Sequence, residues 1–425
     1  MNTNIIKTLL ATGVLTCSIL SQSHAQLSYD NYGTYGSGSF YGKQVAISNT
    51  SGVNFDFEGA FSVYSGTLHT WGDSYLGEPG YHRTDLSNLG TGTVTTATAT
   101  LVNYTHLDGN GSGDPFGLYV QSSTRSSGTF YAGTYNDRGT GGLWAYLGSG
   151  NPPWNKLGSY GSPYSGASTK TSIFANTVFI SGLTGTWSGS YGQNTSIAVF
   201  PSQDTSVDYQ IIINSSGNSA CVAVDTSGNV YYGDFSSTGQ TYLRMWTSTA
   251  VRTAIGSAGD LVLTNTDATI LTPIDSPNGL AVDEGGNVFY TVNGGSAGIY
   301  VWAASDSTVY RVADRNPRGW AGFLDTEGNV LSGTGRLYAD TTTFGANDIT
   351  IISWGTASPF GAADTKAAAD TKAAAAQPVK TIQLDAQQSA YVRALRQKYQ
   401  DNPKSLSNRE LRIVIGGSDS LKLTD

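Results

Sequence analysis

Short runs of alternating apolar and polar residues, separated by turn-forming residues, fill most of this chain. The clearest is NGLAVDEGGNVFY at 278–290, and related stretches are AVDTSGNVYY at 223–232 and FLDTEGNVLS at 323–332. Alternation with a period of two places one face of a strand against a core. Helical periodicity is nearly absent before residue 380, so the pattern predicts an all-β protein.

The three stretches share a turn signal. In each, the first apolar run ends at an aspartate (Asp225, Asp283 or Asp325), two residues follow, and Gly-Asn precedes the second run. Aspartate accepts hydrogen bonds from backbone amides two residues ahead, and glycine adopts a positive φ without a Cβ clash. We therefore expect each Asp-x-x-Gly-Asn to close a β-hairpin.

The spacing of these copies indicates a propeller. They lie about 40 to 60 residues apart, which is the length of a four-stranded blade. Weaker copies occur upstream at 57–72, 115–120 and 172–182, and they bring the count to six. The sequence thus predicts a six-bladed β-propeller within residues 26–360, with blades at approximately 40–355.

The segment PNGLAVDEGGNVFY (277–290) resembles the NHL-repeat signature, and Cys221–Gly233 matches it nearly as well. The resemblance implies a six-bladed propeller of a kind that is commonly secreted or extracellular. It does not imply one activity, because such propellers include enzymes, protein binders and nucleic-acid binders.

Residues 1–25 have the pattern of an export signal peptide. Lys7 supplies positive charge, residues 8–20 form a short apolar run, and Ser23-His24-Ala25 is a small-x-small cleavage site. The run is too short to span a bilayer. We expect an exported protein without a transmembrane segment, located in the periplasm, on the cell surface or outside the cell. Cys17 leaves a lipoprotein signal as an alternative.

The net charge of the chain indicates which classes of partner to expect. Residues 26–361 contain 12 Lys and Arg against 24 Asp and Glu, a net charge of −12. An acidic body disfavours binding to nucleic acid or to anionic lipid. We therefore expect a protein or a polysaccharide as the partner.

The C-terminal part has a different organisation. Residues 361–380 repeat ADTKAAA and predict a linker. Residues 381–425 predict a small helix-strand appendage, in which 410–415 (ELRIVI) alternates like a strand. The apolar face of its helix consists of Leu384, Tyr391, Val392, Leu395 and Tyr399. So short a segment buries little core alone, so it docks on its own propeller or on another chain, and the second case gives self-association.

Nucleophilic chemistry receives little support. Cys221 lies in the apolar run ACVAVD and is expected to be a small buried hydrophobe. The G-x-S-x-G at 294–298 falls where a turn follows the second strand of a blade, without the strand-to-helix context of a nucleophile. His69 lies in a predicted strand as a packed or hydrogen-bonded residue. The eight tryptophans are expected to fill the space between sheets, although exposed ones would stack on sugars.

A polar loop gives one candidate metal site. Alternate side chains with oxygen atoms occur at Asp108, Asn110, Ser112 and Asp114, and this spacing would suit calcium. The twelfth position is Tyr119 rather than a bidentate glutamate. A polar loop with no ion is therefore the alternative.

The propeller axis gives another candidate site. The residue that starts each innermost strand is expected to face the channel, which places Glu58, Phe116, Ala220, Asn278 and Trp320 there. Glu58-Gly59 and Asn278-Gly279 resemble two metal-ligand motifs of the gluconolactonase and regucalcin propellers, a resemblance that implies a divalent metal polarising a substrate carbonyl. The further aspartate of such sites has no counterpart among the aligned positions.

Three functions follow from these patterns. The favoured one is a secreted or cell-surface binding or scaffold propeller without catalytic activity, which engages a protein or a polysaccharide through loops on one face. The second is a metal-dependent, lactonase-like hydrolase that uses the channel. The third is a structural surface protein that assembles through its C-terminal appendage.

Overall fold

A computed structural model describes residues 32–49, 61–72, 80–87, 89, 94–103, 119–126, 129–135, 142–146, 154–158, 162–168, 178–183, 195–200, 210–215, 218–235, 241–258, 260–275, 277–292, 297–314, 324–340 and 348–360. The predicted signal, linker and C-terminal appendage lie outside these residues. None of the described helices is both long and apolar enough to cross a membrane.

The described strands form one nine-stranded sheet, one five-stranded sheet and three four-stranded sheets. We divide these strands along the chain into four-stranded antiparallel groups and call each group a blade. Blade 1 contains β3 (Phe61–Tyr64), β4 (Thr67–Gly72), β5 (Gly80–Asp85) and β6 (Val94–Asn103). Blade 2 contains β7 (Tyr119–Ser126), β8 (Thr129–Tyr135), β9 (Gly142–Tyr146) and β10 (Trp154–Gly158). Blade 3 contains β11 (Ser162–Ser168), β12 (Val178–Leu183), β13 (Thr195–Phe200) and β14 (Gln210–Ser215).

The second half of the chain continues this order. Blade 4 contains β15 (Asn218–Val224), β16 (Val230–Phe235), β17 (Thr241–Trp246) and β19 (Thr269–Ile274). Blade 5 contains β20 (Pro277–Val282), β21 (Val288–Val292), β22 (Gly298–Ala303) and β23 (Thr308–Ala313). Blade 6 contains β24 (Leu324–Glu327), β25 (Arg336–Asp340), β26 (Asp348–Gly355) and, from the start of the chain, β2 (Gly38–Asn49). The short strand β1 (Thr34–Tyr35) pairs with β2.

The blades close into a ring. Their first strands contact one another in the cyclic order β3, β7, β11, β15, β20, β24 and back to β3. Strand β2 completes the ring, because it pairs antiparallel with β26 of its own blade and parallel with β6 of blade 1. The prediction of an all-β propeller is confirmed. Closure by an N-terminal strand was not predicted from the sequence.

The core lies between neighbouring blades. One apolar cluster joins blades 4 and 5, and others join blades 5 and 6, blades 6 and 1, and blades 3 and 4. Trp246, Trp302 and Trp354 belong to these clusters or pack against them, so the prediction that tryptophans fill inter-sheet space is confirmed for these three. Cys221 is buried as predicted and lies in the cluster between blades 4 and 5.

Blade 4 contains a helix that the sequence reading missed. Helix α1 (Ser248–Gly256) begins at Thr247, whose side chain accepts a hydrogen bond from the Ala250 amide. Val251 and Ala254, three positions apart, are its buried residues and pack in the cluster of blades 3 and 4. Only two buried positions define this helical face, which is too short a periodic signal to separate it from a loop.

The segment after α1 extends the neighbouring blade. Strand β18 (Leu263–Thr264) pairs in parallel with the outer strand β14 of blade 3. A 3-10 helix (Asn265–Asp267) follows and leads into β19. Blade 4 therefore covers the outer edge of blade 3.

Candidate functional site

The repeated motif forms the turns that the sequence predicts in two of its copies. The Asp283 carboxylate accepts hydrogen bonds from the amides of Gly285 and Asn287, both at 2.9 Å. Asp225 does the same with Ser227 at 2.8 Å and Asn229 at 2.9 Å. The glycines of these turns, Gly286 and Gly228, have φ of 75° and 87°. The hairpin prediction is confirmed here.

The asparagine of the motif connects two turns at the same end of a blade. The Asn287 side-chain oxygen accepts a hydrogen bond from the Ala304 amide at 3.0 Å, in the turn between β22 and β23. Asn229 accepts the equivalent bond from the Ser248 amide at 2.8 Å. The side-chain nitrogens of both asparagines donate to the motif aspartates. This second role explains why Asn follows Gly, and the sequence reading missed it.

The third copy differs from the prediction. After Gly328 and Asn329 the chain forms a 3-10 helix (Val330–Ser332) instead of a strand. Val330 and Leu331 are consecutive and both buried, which a helical turn permits and an alternating strand with one solvent face does not. The expected second strand of this hairpin is therefore wrong, and β25 begins only at Arg336.

The same acidic residues tie neighbouring blades together. Asp283 of blade 5 accepts a hydrogen bond from the Val330 amide of blade 6 at 2.8 Å. Asp325 of blade 6 accepts one from the Val63 amide of blade 1 at 2.6 Å. Glu327 accepts from the Gly66 amide at 3.2 Å and from the Tyr338 hydroxyl at 2.9 Å. The repeat is thus an architectural element rather than a chemical site.

Most residues that the sequence nominated for function lie outside the described residues. These are Glu58, Phe116, Trp320 and the loop residues Asp108, Asn110, Ser112 and Asp114. Calcium binding by that loop stays a prediction. Within the described part of the chain, no three His, Cys, Asp or Glu residues are grouped in a way that would hold a metal ion.

The backbone of Asn278 is described, and its position is informative. The register between β20 and β21 passes from Pro277 to Gly279, so Asn278 is left out of the pairing as in a β-bulge. Ala220, the aligned residue of blade 4, is skipped in the same way between β15 and β16. Bulges redirect side chains and are frequent near active sites. The pairing of the first strand is therefore irregular at the same place in blades 4 and 5, at one end of the propeller.

Asp275 lies beside this irregularity, in the connection from blade 4 to blade 5. Its carboxylate is half-buried, and burial raises its pKa above the ordinary value of 3.8. It has no hydrogen bond or ion pair with other residues of the described part of the chain, whereas the motif aspartates each accept several bonds. Burial of a carboxylate is costly, and carboxyl groups whose pKa is raised by burial are concentrated at functional sites.

Two tyrosines lie within the electrostatic range of Asp275. Tyr290 and Tyr300 pair across β21 and β22, and their rings stack at a centroid distance of 5.7 Å and an interplanar angle of 22°. Burial raises the pKa of both hydroxyls, and the Asp275 charge raises them further. Both phenols therefore stay protonated at neutral pH and remain hydrogen-bond donors.

Arg311 lies next to the two tyrosines on β23, the outer strand of blade 5. It is paired with Tyr300 in the register of β22 and β23, and its positive charge opposes the rise in the Tyr300 pKa. Its guanidinium donates to the carbonyls of Ala297 and Asp314, both at 3.3 Å. We call Asp275, Tyr290, Tyr300 and Arg311 the Asp275 cluster. It combines a half-buried carboxyl group, two protonated phenols and one arginine side chain.

His69 takes the role expected of it. It is fully buried in β4, and its Nδ1 lies 2.5 Å from the Tyr81 hydroxyl. Arg83 donates to the same hydroxyl from Nε at 2.9 Å, and its guanidinium lies 5.3 Å from the centroid of the Tyr81 ring. The prediction of a packed, hydrogen-bonded histidine is confirmed.

No family model matches the chain, and no curated protein matches it. Similar solved structures include a protein of unknown function from Bacteroides thetaiotaomicron, at 11% identity and a TM-score of 0.45, covering 74% of this chain and 76% of that one. A gluconolactonase from Xanthomonas campestris has 10% identity and a TM-score of 0.46, with 76% and 94% covered. The PQQ-bound aldose sugar dehydrogenase of Streptomyces coelicolor has 12% identity and a TM-score of 0.42, with 74% and 99% covered. Similarities this low carry no argument about function.

Proposed function

We propose that this chain is an exported, NHL-like binding propeller without catalytic activity, which takes a protein or polysaccharide ligand at the end of the ring where β20 begins. The observation that carries the proposal is the half-buried Asp275 carboxylate, which lacks a donor among the described residues. A ligand with hydroxyl, amide or ammonium groups would donate hydrogen bonds to this carboxylate. Residues 1–25 would direct export.

Rigidity supports a binding role. The turns on the opposite end of blades 4 and 5 are held by the motif aspartates, and the asparagines couple each turn to the next. The blades are further joined through Asp283, Asp325 and Glu327. A stiff ring presents its loops in a fixed arrangement, which lowers the entropy cost of binding.

The test is retention of the mature protein on immobilised cell-surface polysaccharides and on secreted proteins, comparing wild type with Asp275→Asn. We expect at least about a tenfold loss of affinity, because charge-assisted hydrogen bonds contribute about 1.5–3 kcal/mol. Asp260→Asn is the matched control, since Asp260 is exposed beyond α1. The proposal fails if no polysaccharide or protein is retained, or if both variants bind like wild type.

A pH prediction tests the state of Asp275 independently of any ligand. Its raised pKa means that the folded chain holds this proton more tightly than the unfolded chain. Below pH 3.8 the carboxyl is protonated in both states and does not destabilise the fold. As the pH rises from 3.8 through the folded pKa, the free energy of unfolding falls, because the half-buried side chain becomes charged. The Asp275→Asn variant has no carboxyl group to ionise at this position. The free energy of unfolding of the variant minus that of wild type should therefore increase over this pH interval and then level off. Urea titrations at a series of pH values measure the difference, and a flat difference would contradict the assignment.

A hydrolase is the second candidate, and Asp275 is also the observation that favours it. A carboxyl with a raised pKa can hold or accept a proton. It lies three positions before Asn278, one of the residues that resemble lactonase metal ligands. Hydrolysis of a lactone in the presence of calcium, abolished by Asp275→Asn, Glu58→Ala and Asn278→Ala, would replace the binding proposal. Absence of turnover with retained ligand binding would support the binding role.

A further inference from the structure

The outer rim of blade 4 exposes apolar side chains. Among the described residues, the large hydrophobic side chains that are exposed all lie between positions 261 and 270: Leu261 is 38% exposed, Val262 36% and Ile270 52%. We call these three residues the blade-4 rim. Clustered exposed apolar residues mark interaction surfaces more often than isolated ones do.

The rim adjoins an open strand edge. Most outer strands in the described part of the ring are covered: β2 and β6 pair with each other, β14 pairs with β18, and β23 is bridged through Ala313 to Tyr32. Strand β19, which carries Ile270, has β17 as its one partner among the described strands. Pro273 has no amide hydrogen, so the edge available to another strand is Thr269–Thr272. Such an edge is a template for strand addition.

The chain contains a segment that matches this surface. Residues 410–415 (ELRIVI) alternate like a strand, and the preceding helical pattern has one apolar face. Residues 362–425 contain 10 Lys and Arg against 7 Asp and Glu, a net charge of +3, which complements the acidic body. A segment too short to bury its own apolar face needs an external surface, and the blade-4 rim offers three partly exposed apolar side chains.

The tail leaves the ring far from the blade-4 rim. The last described residue, Phe360, packs in the cluster between blades 6 and 1, with its ring centroid 5.8 Å from Lys43 Nζ. Blade 4 follows three places after blade 1 in the cyclic order, on the opposite side of the ring. Residues 361–409 are long enough to reach the rim of the same copy or the rim of a neighbouring copy, and only the second case raises the mass of the particle.

We propose that residues 410–415 of one copy add as a strand to β19 of a second copy, and that the apolar face of the helix predicted before this strand in the same tail packs on the blade-4 rim. Because the exit of the tail and the docking surface lie on opposite sides, the contact is heterologous and joins copies head to tail. This assembly does not depend on the ligand site at Asp275.

Complementary variants test the proposal. Ile270→Lys in the full mature chain disables the rim, and Ile413→Asp disables the segment. Wild type should increase in mass with concentration beyond a dimer in light scattering, and each variant alone should stay monomeric. A mixture of the two variants retains one intact segment and one intact rim, so it should form a one-to-one dimer.

The controls test whether a loss of assembly is caused by misfolding or by docking within one copy. Thr98→Lys adds the same charge to an exposed position on the outer strand of blade 1 and should assemble like wild type. Unchanged melting temperatures for Ile270→Lys and Ile413→Asp would establish that both fold. The proposal is overturned if wild type is monomeric at every concentration, if Ile270→Lys assembles like wild type, or if the folded variants do not pair on mixing.

Discussion

Replacing Asp283 with alanine should lower the free energy of unfolding by about 3 kcal/mol. The carboxylate is 2% exposed and accepts hydrogen bonds from the amides of Gly285, Asn287 and Val330 and from the Asn287 side chain. Burial raises its pKa, although these hydrogen bonds act in the opposite direction. Alanine would leave several buried donors without an acceptor, and each such donor costs about 1–3 kcal/mol.

Chemical denaturation measures this loss, and Asp306→Ala is the control. Asp306 is an exposed turn aspartate of the same blade that accepts bonds from the Thr308 amide at 3.0 Å and the Tyr310 hydroxyl at 2.6 Å. Water can replace its bonds, so its removal should cost about 1 kcal/mol or less. Equal losses for the two variants would show that the bond from blade 5 to blade 6 adds nothing. Faster amide exchange at Val330 in Asp283→Ala would locate the defect at the blade contact.

Replacing Trp246 with alanine should destabilise the fold by about 3–5 kcal/mol. The side chain is fully buried where α1 and β18 meet blade 4, and it contacts the Tyr232 ring edge-on at a centroid distance of 5.9 Å. Its indole Nε1 donates to the Thr264 carbonyl at 3.0 Å. Alanine removes the packing and the hydrogen bond together and leaves a cavity.

Trp246→Phe separates these two contributions. Phenylalanine retains most of the ring contact with Tyr232 but cannot donate to Thr264, so we expect it to cost about 1–2 kcal/mol. Thermal and urea unfolding give both values. A loss for phenylalanine as large as that for alanine would mean that the hydrogen bond, and not the packing, fixes β18 on blade 3.

The turn chemistry was the part of the fold that the sequence predicted most directly. Asp, Gly and Asn in Asp283–Asn287 each act through local geometry, so their roles depend on neighbours a few positions away. A local turn also forms in the weaker copy at 57–72, where Ser65 and Gly66 connect β3 and β4 with φ of 52° and 70°. Local signals of this kind survive in the folded protein because tertiary contacts do not oppose them.

Features that depend on distant residues could not be predicted in this way. The third motif copy has the same residue types, yet packing of Val330 and Leu331 against blade 5 makes it a helical turn. The candidate site shows the same limit. The sequence identified Asn278 from its place in the motif. Asp275 became a candidate only because the fold buries its side chain beside blade 5, and no local sequence pattern indicates such burial. An acidic residue shortly before the motif was the one available signal.

The closure of blade 6 has a consequence for the order of folding. The Trp354 indole donates to the Tyr35 carbonyl at 3.0 Å, although the two residues are 319 positions apart. Loop entropy rises only slowly with length, but contacts between such distant residues form late and slow the search for the native state. Strand β2 can pair with β1 and β6 as soon as blade 1 has been synthesised, but its β26 edge stays open until the end of the propeller has been made. Until then this open edge is a place where a strand of another chain could pair.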